Sequence, residues 1–172
     1  MPELIVVGGP NGAGKSTFIR EFLKSDDLRY LCADEAAFQL CPSDPESVAF
    51  AAGRLFLKQI AEARRDRENV ILESTRSGKS LVSQIQKFRD QGYAISMLFV
   101  SPLEEAASLT RVKIRVEKGG HFVPPEDIIR RFRRAHHNFW ASYRHLETDG
   151  WSLFFNEPGI GHRRIALGYG EE

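Results

Sequence analysis

The chain has 172 residues, a length that suits one domain built on one hydrophobic core. Its net charge of +1 argues against a wholesale electrostatic partner such as duplex DNA, so nucleic acid is not expected as a partner. Cys32 and Cys41 are too few for a disulfide framework or a zinc site, and no apolar run approaches the ~18 residues of a membrane span; a cytoplasmic protein without membrane contact is expected.

Leu4 to Val7 reads as a first strand. Directly after it, Gly9-Pro10-Asn11-Gly12-Ala13-Gly14-Lys15-Ser16 fits the phosphate-binding pattern GxxxxGK[ST] at every fixed position. Small residues are needed there because consecutive N–H groups turn inward around phosphates, and a Cβ at Gly12 or Gly14 would obstruct the turn or the approach. Lys15 is expected to reach the β- and γ-phosphates, and the Ser16 hydroxyl to ligate Mg²⁺. Residues 9–17, ending in Thr17, thus predict a site for ATP. Ser16 to Leu23 supplies the helix that must follow, with Phe18, Phe22 and Leu23 on one side.

Tyr30-Leu31-Cys32 reads as a short second strand with Asp34 just beyond its end. Ser43-Asp44-Pro45-Glu46 reads as a capping box opening a helix that lasts to about Arg65, with a core stripe of Val48, Ala52, Leu55, Phe56, Ile60 and Ala63. Val70-Ile71-Leu72 is the third strand, followed by Glu73 and Thr75. A helix is expected from Gly78 to Asp90, a strand from Ile95 to Val100, and a helix opened by Pro102 and ended by Gly119-Gly120. From Pro125 to Leu146, Ile128, Phe132, Ala135, Phe139, Tyr143 and Leu146 recur at helical spacing. Trp151 to Phe155 is a further strand, and Arg163 to Leu167 a candidate edge strand. The βαβα rhythm implies a mainly parallel sheet covered on both faces, the three-layer α/β/α arrangement of a P-loop NTPase.

Several phosphate-loop classes lack their markers here. An AAA-type ATPase would carry an apolar strand ending in Asp, whereas Val70-Ile71-Leu72 ends in Glu73. The Asn-Lys-x-Asp motif of GTPases and the Leu-Ser-Gly-Gly-Gln motif of transporters are missing. Gly78-Lys79-Ser80 looks like a second loop end, but Glu73 stands where its first glycine belongs. What remains is the small-molecule kinases. Asp34, at a strand's C-terminal end, suits a base that accepts a hydroxyl proton, or else an N-cap for a helix from Glu35 to Leu40. Glu73 and Thr75, at the same sheet edge, suit orienting acceptor hydroxyls or holding a water on Mg²⁺, with helix capping by Thr75 or Ser77 as the alternative. Arg111, Lys113, Arg115, Lys118, Arg130, Arg131, Arg133 and Arg134 flank the glycine hinge and His121. Two arginine-rich helices over about residues 111–134 suit a lid whose guanidinium groups meet transferring phosphate, Arg111 and Arg115 first among them. A solvated polar face is the competing explanation.

The loop GGPNGAGKST, Asp34 within Cys32-Ala33-Asp34-Glu35, the run Glu73-Ser74-Thr75-Arg76-Ser77-Gly78, and Arg111-Val112 with Arg115 to Pro124 together resemble the zeta toxin family of P-loop kinases. The resemblance implies a nucleoside-kinase-like fold with a five-stranded sheet in the order 2-3-1-4-5, ATP and Mg²⁺, the aspartate as base, and lid arginines on the phosphates. Zeta toxins phosphorylate UDP-N-acetylglucosamine and are held inactive by an antitoxin protein, so both are implied as a substrate and a partner. Here Cys32 replaces the Asn that shorter members often carry, and Arg76 replaces an apolar residue; Arg76 is a candidate contact to an acceptor phosphate. The reading is an ATP-dependent kinase acting on a hydroxyl of an anionic small molecule, a sugar nucleotide first among candidates. Its competitor is a nucleotide-dependent switch that recruits a protein or RNA.

Overall fold

The computed structural model describes residues 1–23, 27–75, 80–120, 122–146 and 148–169. Arg76, Ser77, Gly78 and His121 lie outside them. The elements in order are β1 (Glu3–Gly8), α1 (Lys15–Phe22), β2 (Leu28–Cys32), α2 (Ala33–Leu40), α3 (Ala49–Arg65), β3 (Asn69–Ser74), α4 (Ser80–Arg89), β4 (Ala94–Ser101), α5 (Glu105–Glu117), α6 (Pro125–Ala141), a 3₁₀ turn (Tyr143–His145), β5 (Gly150–Glu157) and β6 (Gly161–Gly168).

The strand order is β2-β3-β1-β4-β5-β6, parallel throughout except that β6 runs antiparallel to β5. The order implied for five strands is kept, and the count is corrected to six. β6 is weakly written because little of it enters the core: Ala166 packs inward while Ile165 and Leu167 stay exposed. A strand with one lightly packed face keeps little apolar alternation.

Period-two alternation in β1 divides the layers. Leu4 and Val6 join Val70, Leu72, Ile95, Met97 and Phe99 against Ile60 of α3, Ile85 and Phe88 of α4, and Phe139 of α6. Ile5 and Val7 face the other way, with Ile71, Leu98 and Val100, against Phe18 and Ile19 of α1. Helices therefore cover both faces. On α1 it is Ile19 that joins Phe18 in the core, whereas Phe22 is left exposed.

The capping box does not form as expected, and α3 begins at Ala49 rather than near Pro45. Asp44 accepts the Ser47 N–H at 3.3 Å and its carbonyl accepts the Ser47 hydroxyl at 2.8 Å, so these polar groups close a local turn. The end of α5 is as expected: Gly119, at φ 84°, lets its own N–H reach Val116 O and the Gly120 N–H reach Arg115 O, both at 2.9 Å. Proline opens α6 at its first turn. The registers Gly8↔Ser74 and Cys32↔Glu73 bring the C-terminal ends of β1, β2 and β3 to one edge.

Candidate functional site

That edge is where an open parallel sheet presents its loops and helix N-termini to a ligand. The chain leaves β1 through Gly9, whose φ of 151° and approach to the Val100 carbonyl leave no space for a Cβ. Gly12 and Gly14 are left-handed, at φ 72° and 87°; a Cβ on Gly12 would stand 2.8 Å from the Ser108 carbonyl, and one on Gly14 would collide with the Asn156 side chain. Among the described residues no backbone carbonyl takes the N–H of Gly12 or Gly14. The buried Asn11 Oδ1 also has no partner. Together with the N-terminus of α1, the two N–H groups suit a polyphosphate, whereas the Asn11 oxygen can only accept.

Lys15, the first residue of α1, is buried, and its Nζ donates to the Pro10 carbonyl at 3.1 Å. Burial pushes its pKa below the ordinary lysine value, while the Glu73 and Asp34 carboxylates act in the opposite direction. Glu73, next to last in β3, is a buried carboxylate that accepts the Ser16 hydroxyl at 3.0 and 3.2 Å and the Tyr30 hydroxyl at 2.6 Å, with Lys15 Nζ at 3.9 Å. Burial and the adjacent Glu73 hold the Tyr30 phenol far above its usual pKa, so it remains a donor. Burial likewise raises the Cys32 thiol, helped by Glu73 and Asp34, which makes it a poor nucleophile.

Around these groups opens a cleft of about 690 Å³. Asn11, Gly12, Gly14, Lys15, Ser16 and Thr17 form its floor; Asp34, Glu73 and Thr75 stand on the β2 and β3 side; Arg111, Arg115 and Arg131 come from α5 and α6. Gly9, Pro10 and Ala13 are buried behind the floor. Asp34 sits in the first turn of α2, whose N-cap is Cys32, so it does not cap that helix. Thr75 follows β3 at the same edge.

The arginine cluster divides. Arg133 is held by Glu105 at 2.7 and 3.2 Å, joining α6 to α5, and Arg130 pairs with Asp127 at 2.8 Å. Arg131 reaches the cleft although it was not singled out from its neighbours in the sequence. Arg111 is already docked: its guanidinium donates to Gly12 O at 3.4 Å and to Asn156 O at 2.8 Å. Asn156, at the end of β5, in turn donates from its amide to Ala13 O at 2.9 Å. Asn156 and Tyr30 were not found from the sequence. A polar residue in or after a strand carries no spacing signal, and only the tertiary fold shows what it meets.

No helix among the described residues is long and apolar enough to cross a membrane. An uncharacterized protein from Haemophilus influenzae is 30% identical over 122 residues, which are 71% of this chain and 86% of that protein. A structure from the PezAT chromosomal toxin-antitoxin system of Streptococcus pneumoniae aligns with a TM-score of 0.72 at 15% identity, over 97% of this chain and 72% of that one. AvrRxo1-ORF1:-ORF2 with ATP aligns with a TM-score of 0.73 at 14% identity, over 97% of this chain and 58% of the other. At these identities the likeness is one of fold, and at that level the zeta-toxin-like P-loop arrangement is borne out. A family described as an AAA domain matches residues 4–138. The elimination of the AAA type from the ending of β3 is thereby overturned as a statement of family, since the match runs through Glu73. On a match covering well over half its length, the chain belongs to this AAA-domain family.

Proposed function

We propose that this chain is an ATP-dependent kinase that moves the γ-phosphoryl group to a hydroxyl of an anionic small molecule. The observation that carries this reading is Asp34, a carboxylate that shares the cleft with Lys15 and Ser16 and has no capping role. As the acceptor oxygen attacks, its bond to the γ-phosphorus forms, the bond from that phosphorus to the bridging oxygen of ADP breaks, and the hydroxyl proton passes to Asp34. Lys15 neutralises the β- and γ-oxygens, Arg111 and Arg115 with Arg131 meet the equatorial oxygens, and Glu73 and Thr75 orient the acceptor side. Arg76 is a further acceptor contact in this reading and lies outside the described residues.

The donor set fits Mg²⁺ carried in with ATP. Ser16 offers one hydroxyl, and among the described residues no group of three His, Cys, Asp or Glu side chains forms a cage of its own. Mg²⁺ takes few protein ligands and keeps waters and phosphate oxygens. When bound, it would neutralise charge on the transferring phosphates.

Four arginines, Arg20, Arg111, Arg115 and Arg131, with Lys15 line the cleft against two carboxylates, Asp34 and Glu73, and this cationic surplus supports an anionic acceptor. A sugar nucleotide stands first, with UDP-N-acetylglucosamine as the specific candidate, and an antitoxin protein as the corresponding partner. Incubation with labelled ATP and a metabolite extract, followed by separation of products by mass, tests the reading. Label on an anionic metabolite is expected. Label only on neutral alcohols or nucleic-acid ends would remove the acceptor class, and label released only as free phosphate would favour a nucleotide switch.

A further inference from the structure

A second hollow of about 440 Å³ adjoins the phosphate cleft, walled by Phe50, Gly53, Arg54 and Leu57 of α3 and by Leu81 of α4. Phe56, Ser74 and Thr75 line both hollows, so the two meet at the C-terminal end of β3. Positions 50, 53, 54 and 57 are spaced as one helical face, distinct from the stripe of Ala52, Ile60 and Ala63 that α3 buries. On this second face the large apolar side chains are bare: Phe50 is 79% exposed and Leu57 46%.

Gly53 is the informative residue. It lies inside α3, where glycine destabilises a helix relative to alanine. It has no positive φ, and a Cβ there would meet nothing within 4 Å. Neither the backbone nor core packing calls for glycine at this position. What its missing side chain provides is space in the wall of the hollow. Beside it the Arg54 guanidinium lies 4.9 Å above the centroid of the Phe50 ring, so the mouth is framed by two flat groups.

We infer that this hollow seats a planar aromatic ring carried by the phosphoryl acceptor, whose hydroxyl-bearing part reaches past Phe56 toward Asp34. The inference deepens the kinase reading and rests on it for the identity of the occupant as acceptor. An aromatic ring gains more here than an aliphatic chain of equal area, because Phe50 offers a π face and Arg54 a stacking plane. Ser74 and Thr75 provide polar contacts only at the inner end, where the ring's substituent would turn into the cleft.

The test uses two probes with the same sugar hydroxyls, 4-nitrophenyl β-glucopyranoside and methyl β-glucopyranoside, titrated by calorimetry into the full chain holding a non-hydrolysable ATP analogue and Mg²⁺. The ring-bearing probe is expected to bind at least tenfold more tightly. Gly53→Phe should abolish that advantage and leave affinity for the ATP analogue within twofold, while Gly53→Ala should raise the Tm. Phe50→Ala, at an exposed position that bears no core load, should cut the advantage severalfold and serves if Gly53→Phe fails to fold. Equal affinity of the two probes for the wild type, including none for either, overturns the inference, as does an advantage that survives both substitutions. The measurement does not depend on phosphoryl transfer. A ring preference without any labelled metabolite would leave the ring site standing and remove the kinase reading; labelled metabolites without a ring preference would do the reverse.

Discussion

The Ser16 hydroxyl points its proton at Glu73, 3.0 and 3.2 Å from the two carboxylate oxygens, which ties the start of α1 to the end of β3. Tyr30 from β2 donates to the same carboxylate at 2.6 Å, so a single buried group gathers three elements at the sheet edge. Glu73→Gln keeps the size and an accepting oxygen but removes the charge. It should lower the stability of the nucleotide-free protein by about 1–3 kcal/mol, the usual scale for a disturbed buried polar group. It should also weaken the Mg²⁺ dependence of ATP binding. Urea unfolding and titrations at several Mg²⁺ concentrations check this; a variant unchanged in both would mean that the charge of Glu73 supports neither the fold nor metal-linked binding.

In the proposed kinase reading Lys15 makes the contact to the nucleotide. With a charge-assisted bond to the β- and γ-oxygens at stake in that reading, Lys15→Ala should weaken ATP-Mg²⁺ binding by about 2 kcal/mol with the fold retained. Calorimetry on a variant shown to be folded by circular dichroism decides the matter, and an unchanged affinity would remove nucleotide binding at this loop.

The phosphate loop was legible in the sequence because its requirements are local: left-handed glycines, a lysine and a hydroxyl at fixed steps. Ile128, Ala135 and Phe139 were legible for a similar reason, since helical burial repeats every three or four residues, but the helix expected to Leu146 ends at Ala141 and Tyr143 is buried from a 3₁₀ turn. The start of α3 was misread because Asp44 and Ser47 satisfy each other in a turn before the helix begins, which a capping pattern alone does not reveal. Arg111 and Arg133 are of one residue type on neighbouring helices. One docks on the loop and the other pairs with Glu105, and only the packing of α5 against α6 separates them.

Asp34 separates a kinase from a switch. The N-cap of α2 is Cys32, so Asp34→Asn alters charge at the cleft without removing a cap. Phosphoryl transfer should fall by roughly 10² or more, the scale of general-base contributions, with ATP affinity nearly unchanged. Full activity in this variant would dismiss Asp34 as the base.

Asn156 braces the loop from outside the motif. Its amide donates to Ala13 O at 2.9 Å, and its carbonyl accepts Arg111 at 2.8 Å. Asn156→Ala removes the first bond and keeps the second, so the loop loses one of two supports. ATP affinity should drop about fivefold, equivalent to roughly 1 kcal/mol, while Lys15 and Ser16 remain in place. An affinity identical to wild type would show that Arg111 alone suffices to hold the loop.

His136 gives the fold a pH dependence beside the C-terminal end of β4. Its Nδ1 lies 2.9 Å from the Phe132 carbonyl and its Nε2 3.0 Å from the Ser101 hydroxyl, with Phe99 and Phe132 against the ring. Burial holds its pKa below the ordinary value of about 6.5, although the Phe132 carbonyl and Glu105 act the other way. The folded state therefore keeps the ring neutral at a pH where the unfolded chain takes up a proton. Stability from this group is complete above about pH 6.5 and is lost as the pH falls through that value toward the lower folded one. The Tm of the wild type should thus fall more steeply between pH 7.5 and 5.5 than that of His136→Gln, in which nothing titrates at this position. Parallel Tm profiles for the two proteins would show that His136 does not couple protonation to folding.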